Sequence, residues 1–195
     1  MTTTSKQSAF GAETTLDLRK VLGELADEGV IARREANFLM GEPRSKDHAA
    51  MHVLTYIAAQ RLENKKAPGK VVDEQFLTHW IAEKSNLPLY HIDPMKVPVA
   101  KTCGMMSYAF AKRHGVLCVG WGVEEVIVAV TEPFMTQWCE QIAQTMQQSI
   151  KRVIASPSDI ERYRIEFYSL SNSVSGAEDG DSAKRSGAAN FEQLL

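Results

Sequence analysis

The spacing of apolar residues changes once along this chain, near residue 88. That change limits the fold more than any other feature. Between residues 16 and 86 apolar side chains recur every three or four positions. Leu18, Val21, Leu22 and Leu25 form one stripe, and Met51, Leu54, Ile57, Ala58 and Leu62 form another. Phe76, Leu77, Trp80 and Ile81 form a third. This period places side chains on one face of an α-helix. Beyond residue 88 the apolar residues gather into runs of strand length, at 116–121, 126–130 and 150–155. Such runs suit strands buried on both faces. Helices first and a sheet afterwards is the α+β pattern. The expected architecture is a four-helix N-terminal part followed by a small β-α-β-β-α-β-α domain with a mostly antiparallel or mixed sheet.

Local signals divide these stretches further. Gly29 interrupts the first stripe, a second short helix spans 32–40, and Gly41-Glu42-Pro43 stops it. A third helix is expected over 46–64, ending in the run Glu63-Asn64-Lys65-Lys66. Asp73 reads as the N-cap of a fourth helix, with Val72 stapled on Leu77. That helix ends near Ser85-Asn86. Val97-Pro98-Val99 reads as a short edge strand, because proline is tolerated at sheet edges. A helix over 105–114 carries Lys112, Arg113 and His114 in its last turn and Gly115 as its cap. A helix over 134–148 follows the strand pair, and Ser156-Pro157-Ser158-Asp159 is a strong start for the last helix. The resulting organisation is a flexible N-terminus (1–15), a helical subdomain (16–86), an α+β subdomain (87–170) and a Ser-, Gly- and Ala-rich spacer (171–195). The spacer ends in Asn190-Phe191-Glu192-Gln193-Leu194-Leu195, which reads as the first turn of something further.

The chain has 195 residues, a net charge of −2 and 44% hydrophobic residues. These values suit a globular protein and give no basic field for nucleic acid. No run of about 18 apolar residues occurs, so no transmembrane helix is expected. The polar start Met1-Thr2-Thr3-Thr4-Ser5-Lys6 is unlike a secretory signal. Cys103, Cys118 and Cys139 are odd in number and lie among apolar residues, as reduced core cysteines do.

No phosphate-binding loop, dinucleotide fingerprint or nucleophile elbow is present. His48 and His52 stand one helical turn apart and could share a helix face. The glutamate of a zinc-protease motif is missing, because Ala49 stands in its place. No catalytic residue and no metal site is therefore expected, and the chain reads as a binding or docking module.

Four segments carry a family resemblance. They are 87–94 (Leu-Pro-Leu-Tyr-His-Ile-Asp-Pro), 108–117 (Tyr-Ala-Phe-Ala-Lys-Arg-His-Gly-Val-Leu), 126–134 (Val-Ile-Val-Ala-Val-Thr-Glu-Pro-Phe) and 155–163 (Ala-Ser-Pro-Ser-Asp-Ile-Glu-Arg-Tyr). In this order they resemble the N-terminal region of the ATPases of type II secretion and type IV pilus assembly, with the secretion E proteins as the nearer match. The resemblance implies a fragment that is not itself an enzyme, taken from a hexameric ATPase that powers pseudopilus assembly and protein secretion. The core with its ATP, magnesium and zinc sites would lie beyond Leu195. It also implies a cytoplasmic module, peripheral to the inner membrane, that docks on the cytoplasmic domain of the L-type platform protein and couples it to hydrolysis. The first helices and the outer side of 46–64 are the candidate docking faces.

Some members of the family bind cyclic di-GMP through two copies of Arg-Leu-Gly-(x)6-Gly with spaced leucines. The corresponding positions here give Arg61, Leu62, Leu25 and Gly29 as the candidate ligand residues. The departures weigh against such a site. Lys20 replaces the first arginine, Leu22 the first glycine and Lys70 a glycine of the second copy, and a side chain obstructs backbone approach to a nucleotide.

Overall fold

The computed structural model describes residue 10 and residues 13–189. Five helical segments build the first part. In α1 (Leu18–Asp27), the Asp17 carboxylate accepts from the Arg19 and Lys20 amides. The helix closes where Gly29 turns left-handed at φ 71°. α2 spans Arg33–Gly41, and its first-turn Glu35 reaches back to the Ala32 amide.

The single helix expected over 46–64 is broken into α3 (Lys46–Ala49) and α4 (Val53–Ala59). The break has a local cause. His52 leaves the helical region at ψ 145°, and its Nδ1 accepts from the Leu54 amide at 3.3 Å, so it caps a new helix. Arg61 then takes a left-handed conformation, φ 50°, and α4 cannot run on to Leu62. Glu63 instead bridges Val71 and closes the 64–70 loop. α5 (Glu74–Ser85) starts as expected, with the Asp73 carboxylate accepting from the Phe76 amide at 2.8 Å. Val72 and Leu77, the two staple residues, are both fully buried.

The second part holds α6 (Val99–Met105), α7 (Tyr108–His114), β1 (Val116–Trp121), β2 (Glu125–Val130), α8 (Gln137–Met146), β3 (Ser149–Ile154) and α9 (Pro157–Ala189). The edge strand expected at 97–99 does not form. Pro98 has no N–H to offer a ladder, and its carbonyl accepts from the Lys101 and Thr102 amides, which starts α6. The expected 105–114 helix begins only at Tyr108, where the Ser107 hydroxyl caps α7 by accepting from the Phe110 amide. β1 pairs antiparallel with β2, with a bulge between Cys118 and Gly120. β2 pairs parallel with β3, and α8 makes the crossover. The sheet is thus mixed, and the molecule is α+β with the helical part first. Leu89 adds a parallel bridge to Ile154 on the open side of β3. Of the expected spacer, 171–189 continues α9 as helical backbone, and 190–195 lie outside the described residues. Most of the N-terminal stretch 1–15 lies outside them as well.

One cluster of buried side chains runs through both parts, from Leu22, Leu25, Ile57 and Ile81 to Val128, Val130, Ile154 and Ile160. The change of period at residue 88 therefore marks a change of architecture but no break in the core.

Candidate functional site

The two histidines do not share a face. His48 sits in α3 with Nδ1 3.1 Å from Ser45 Oγ and its ring against Tyr56. His52 caps α4, with Nε2 3.2 Å from Glu132 Oε1. Among the described residues no group of three or more His, Cys, Asp or Glu side chains could hold a metal.

The cysteines are free. Burial pushes the Cys118 thiol up to about 12, against the small opposing effect of its contact with the Gly120 carbonyl. At neutral pH it has almost no thiolate to react. In the folded protein a maleimide is therefore expected to leave Cys118 unmodified, and to label it only after denaturation. Peptide mapping by mass spectrometry checks this. Rapid native labelling of Cys118 would show that β1 opens.

The four candidate ligand residues do not converge. Leu25 is wholly buried in the core. Gly29 lies at the end of α1 with open space around its Cα. The two segments are tied together, since the Lys65 amide donates to the Val30 carbonyl at 2.8 Å. Yet Arg61 and Leu62 line different hollows. Arg61 is exposed and lines an open hollow of about 630 Å³ with Asn64, Lys70, Asp73, Phe76 and His79. Leu62 lines a second, mainly apolar groove of about 370 Å³ with Arg34, Glu35, Phe38, Leu39 and Gln60.

Phe38 is 65% exposed beside that groove, an unusual position for a phenylalanine. The sequence reading did not single it out. Its signal was its place off the buried stripe of α2, which holds Ala36 and Leu39.

A third set of groups joins the two parts. Glu132 accepts from the Leu16 amide at 2.7 Å. Glu13 accepts from the Thr136 hydroxyl and from the Thr136 and Gln137 amides at the start of α8, and these bonds, the hydroxyl's first, hold its carboxyl below the usual range. Phe10 stacks on Phe134 and meets Trp80 edge-on. Trp80 Nε1 donates to Glu28 Oε2 at 2.9 Å, and Lys84 Nζ pairs with Glu24 and Glu28. Burial alone would raise the Glu28 carboxyl, but the Lys84 and Trp80 hydrogen bonds overcome it and the carboxyl stays low. Glu74 behaves similarly. Burial pushes it up, and donors from Ser156 and Ser158 bring it below its ordinary value.

Apart from the exposed Ser45–His48 pair, none of these arrangements presents a nucleophile beside a base. Among the described residues no helix is long and apolar enough to cross a membrane.

Comparison with known proteins gives these features a family. Residues 85–174 match the model of the MshEN domain. The type IV pilus assembly ATPase TfpB of Acinetobacter baylyi is 30% identical over 171 residues, which is 87% of this chain. The chain spans only 29% of that relative's length. Among solved structures, the N-terminal domain of XpsE aligns with 77% of this chain and 96% of its own, at 15% identity and a TM-score of 0.48. The structure of MshE with cdg aligns with 78% of this chain and 99% of its own, at 13% identity and a TM-score of 0.47. Residues 85–174 thus match an MshEN domain, and the chain is similar over most of its length to part of a type IV pilus assembly ATPase.

Proposed function

We propose that this chain is the regulatory docking region of an assembly ATPase of the type II secretion and type IV pilus class, and that it does no chemistry itself. The observation that carries the reading is the homology to TfpB along 87% of the chain, over less than a third of that ATPase. The relative's name favours pilus assembly over secretion as the system served. In this reading the partner is the cytoplasmic domain of an inner-membrane platform protein. The module works in the cytoplasm and reaches the membrane only through that partner. The hexameric core with its nucleotide and metals belongs to other parts of the full protein.

The groove beside Phe38 is the docking face we favour. It is mainly apolar, it carries Arg34 and Glu35 on its rim, and it lies on the early helices. Aromatic anchors at the centre of such patches carry much of the binding energy at interfaces. Calorimetric titration with the cytoplasmic domain of the cognate platform protein is expected to show binding. Phe38→Ala should weaken it about tenfold or more without unfolding the chain, because the ring is mostly exposed. No heat up to roughly 100 µM partner would reject the reading.

A second reading, a cyclic di-GMP sensor, draws on the hollow where the Arg61 guanidinium stands near Lys70 and His79. Its cations suit phosphate, while Leu25, in the core, cannot reach a ligand there. Cyclic di-GMP in the same calorimeter, with Arg61→Ala as the control, separates the two readings.

A further inference from the structure

α9 begins where the two parts of the molecule meet, and a residue from the other part supplies its capping acceptor. The Ser158 amide, in the first turn of α9, donates to Glu74 Oε1 at 2.9 Å. The Ser158 hydroxyl donates to Glu74 Oε2 at 2.8 Å, and the Ser156 hydroxyl donates to Oε1. Helix starts leave amides without partners, and a carboxylate there is favoured by both hydrogen bonding and the helix dipole. Ser156 is itself placed to cap α9. Its hydroxyl instead reaches the Asp159 amide only at 3.4 Å and donates to Glu74.

Glu74 is not needed for its own helix. It opens α5, but Asp73 already caps that helix. Its carboxylate instead serves an element 82 to 84 residues further along the chain, and it also takes a hydrogen bond from Thr55 of α4. Beneath these bonds Ala155 and Ile160 are buried in the shared core, and the polar groups lie above them. The bonds lie on the rim of an open hollow of about 560 Å³ between α5 and the start of α9, lined by Gln75, Thr78, Leu89, Tyr90, His91, Ser156 and Asp159. The neighbouring tie is also a set of polar bonds. The Ile154 amide donates to the Pro88 carbonyl at 2.8 Å, and the Tyr90 amide to the Ile154 carbonyl at 2.7 Å.

We propose that Glu74 is a latch that couples the helical part to the first turn of α9, so that closing it fixes that turn against α5 and opening it loosens the turn above the shared core. α9 runs on to Ala189 and is the element by which the sheet part leaves the described structure. A load or a docked partner on the helical part is passed to α9 through this carboxylate. The latch rests on the docking reading only for its use. Its existence is a property of the isolated chain.

Hydrogen–deuterium exchange on the whole chain tests it, with Glu74→Gln and Ser158→Ala compared with the unaltered protein. Glu74→Gln removes the charge and keeps the size. Its effect is expected at residues 158–161 and at Tyr90 and Ile154, where amides should exchange roughly tenfold faster. α1, α2 and the β1–β2 pair should keep their protection. Ser158→Ala keeps the amide bond and loses the hydroxyl bond, so a smaller change in the same places is expected. Unchanged exchange in the first turn of α9 would overturn the proposal. So would an increase spread evenly over the whole chain, which would show lost global stability and no latch. Partner titration on the same variants keeps the two ideas apart. Lost latch signals with intact partner binding support the latch alone, and absent partner binding by the unaltered chain with the latch signals present overturns only the docking reading.

Discussion

Trp80→Ala is expected to cost about 3–5 kcal/mol of unfolding free energy, as removal of a large buried aromatic usually does. Trp80 is 5% exposed and closes the seam from the helical side. Phe10 meets its ring edge-on at 6.1 Å, and the Lys84 ammonium lies 5.5 Å from the ring centre. Its Nε1 is one of the donors that compensate the burial of Glu28. The alanine variant loses packing, opens a cavity and leaves Glu28 to Lys84 alone. Trp80→Phe restores most of the apolar area and omits the N–H, so it should cost only about 1–3 kcal/mol. Urea denaturation followed by circular dichroism reads both values without relying on tryptophan emission. A loss below about 1 kcal/mol for the alanine variant would show that the seam is not closed by this ring.

Gly115→Ala is the second substitution with a large expected effect. Gly115 ends α7 at φ 62° and leads directly into β1. A side chain in this conformation costs about 1–2 kcal/mol. The added methyl would also stand 2.3 Å from Thr131 Oγ1. That hydroxyl is buried and donates to the Gly115 carbonyl at 3.2 Å, beside the Thr131 amide bond at 3.0 Å. Moving it aside sacrifices a hydrogen bond worth about 1 kcal/mol. The sum is a loss of about 2–3 kcal/mol. Gly23→Ala gives the contrast. Gly23 lies inside α1 with nothing near the added methyl, so alanine there should raise stability by up to about 1 kcal/mol. Thermal or urea melts of the two variants should therefore shift in opposite directions. A shift in the same direction would contradict the backbone geometry at Gly115.

Helix caps were legible in the sequence wherever the capping side chain is adjacent in the chain. Asp73, Ser107 and Gly115 all serve local ends of helices, although only Asp73 and Gly115 stood out beforehand. Breaks inside helices were less legible. The stripe Met51–Leu62 keeps helical spacing across His52, and spacing alone does not reveal that an imidazole will accept an amide bond and restart the helix. Val97-Pro98-Val99 has the composition of an edge strand, but the Pro98 carbonyl is taken up by the amides that start α6. The edge of β3 is met by Leu89 instead. Of the candidate site, Arg61 could be named from a motif. Its neighbours in the hollow, Lys70 and His79, are brought to it by the closed 64–70 loop and by α5.

The sequence by itself determined the order of architecture, helices and then a sheet, because apolar period is a property of neighbouring residues; the parallel pairing of β2 with β3 was decided by the tertiary structure. It also carried the family resemblance, in segments whose residues are contiguous. The tertiary structure decided which distant groups meet. Glu74 at the start of α9, Glu13 at the start of α8 and Glu28 beneath Trp80 are all carboxylates at sites where burial would otherwise leave donors or charge uncompensated. Nothing in the spacing of a glutamate along the chain tells which helix end or indole it will serve. That choice is made only when the chain closes on one core and buried polar groups find their partners.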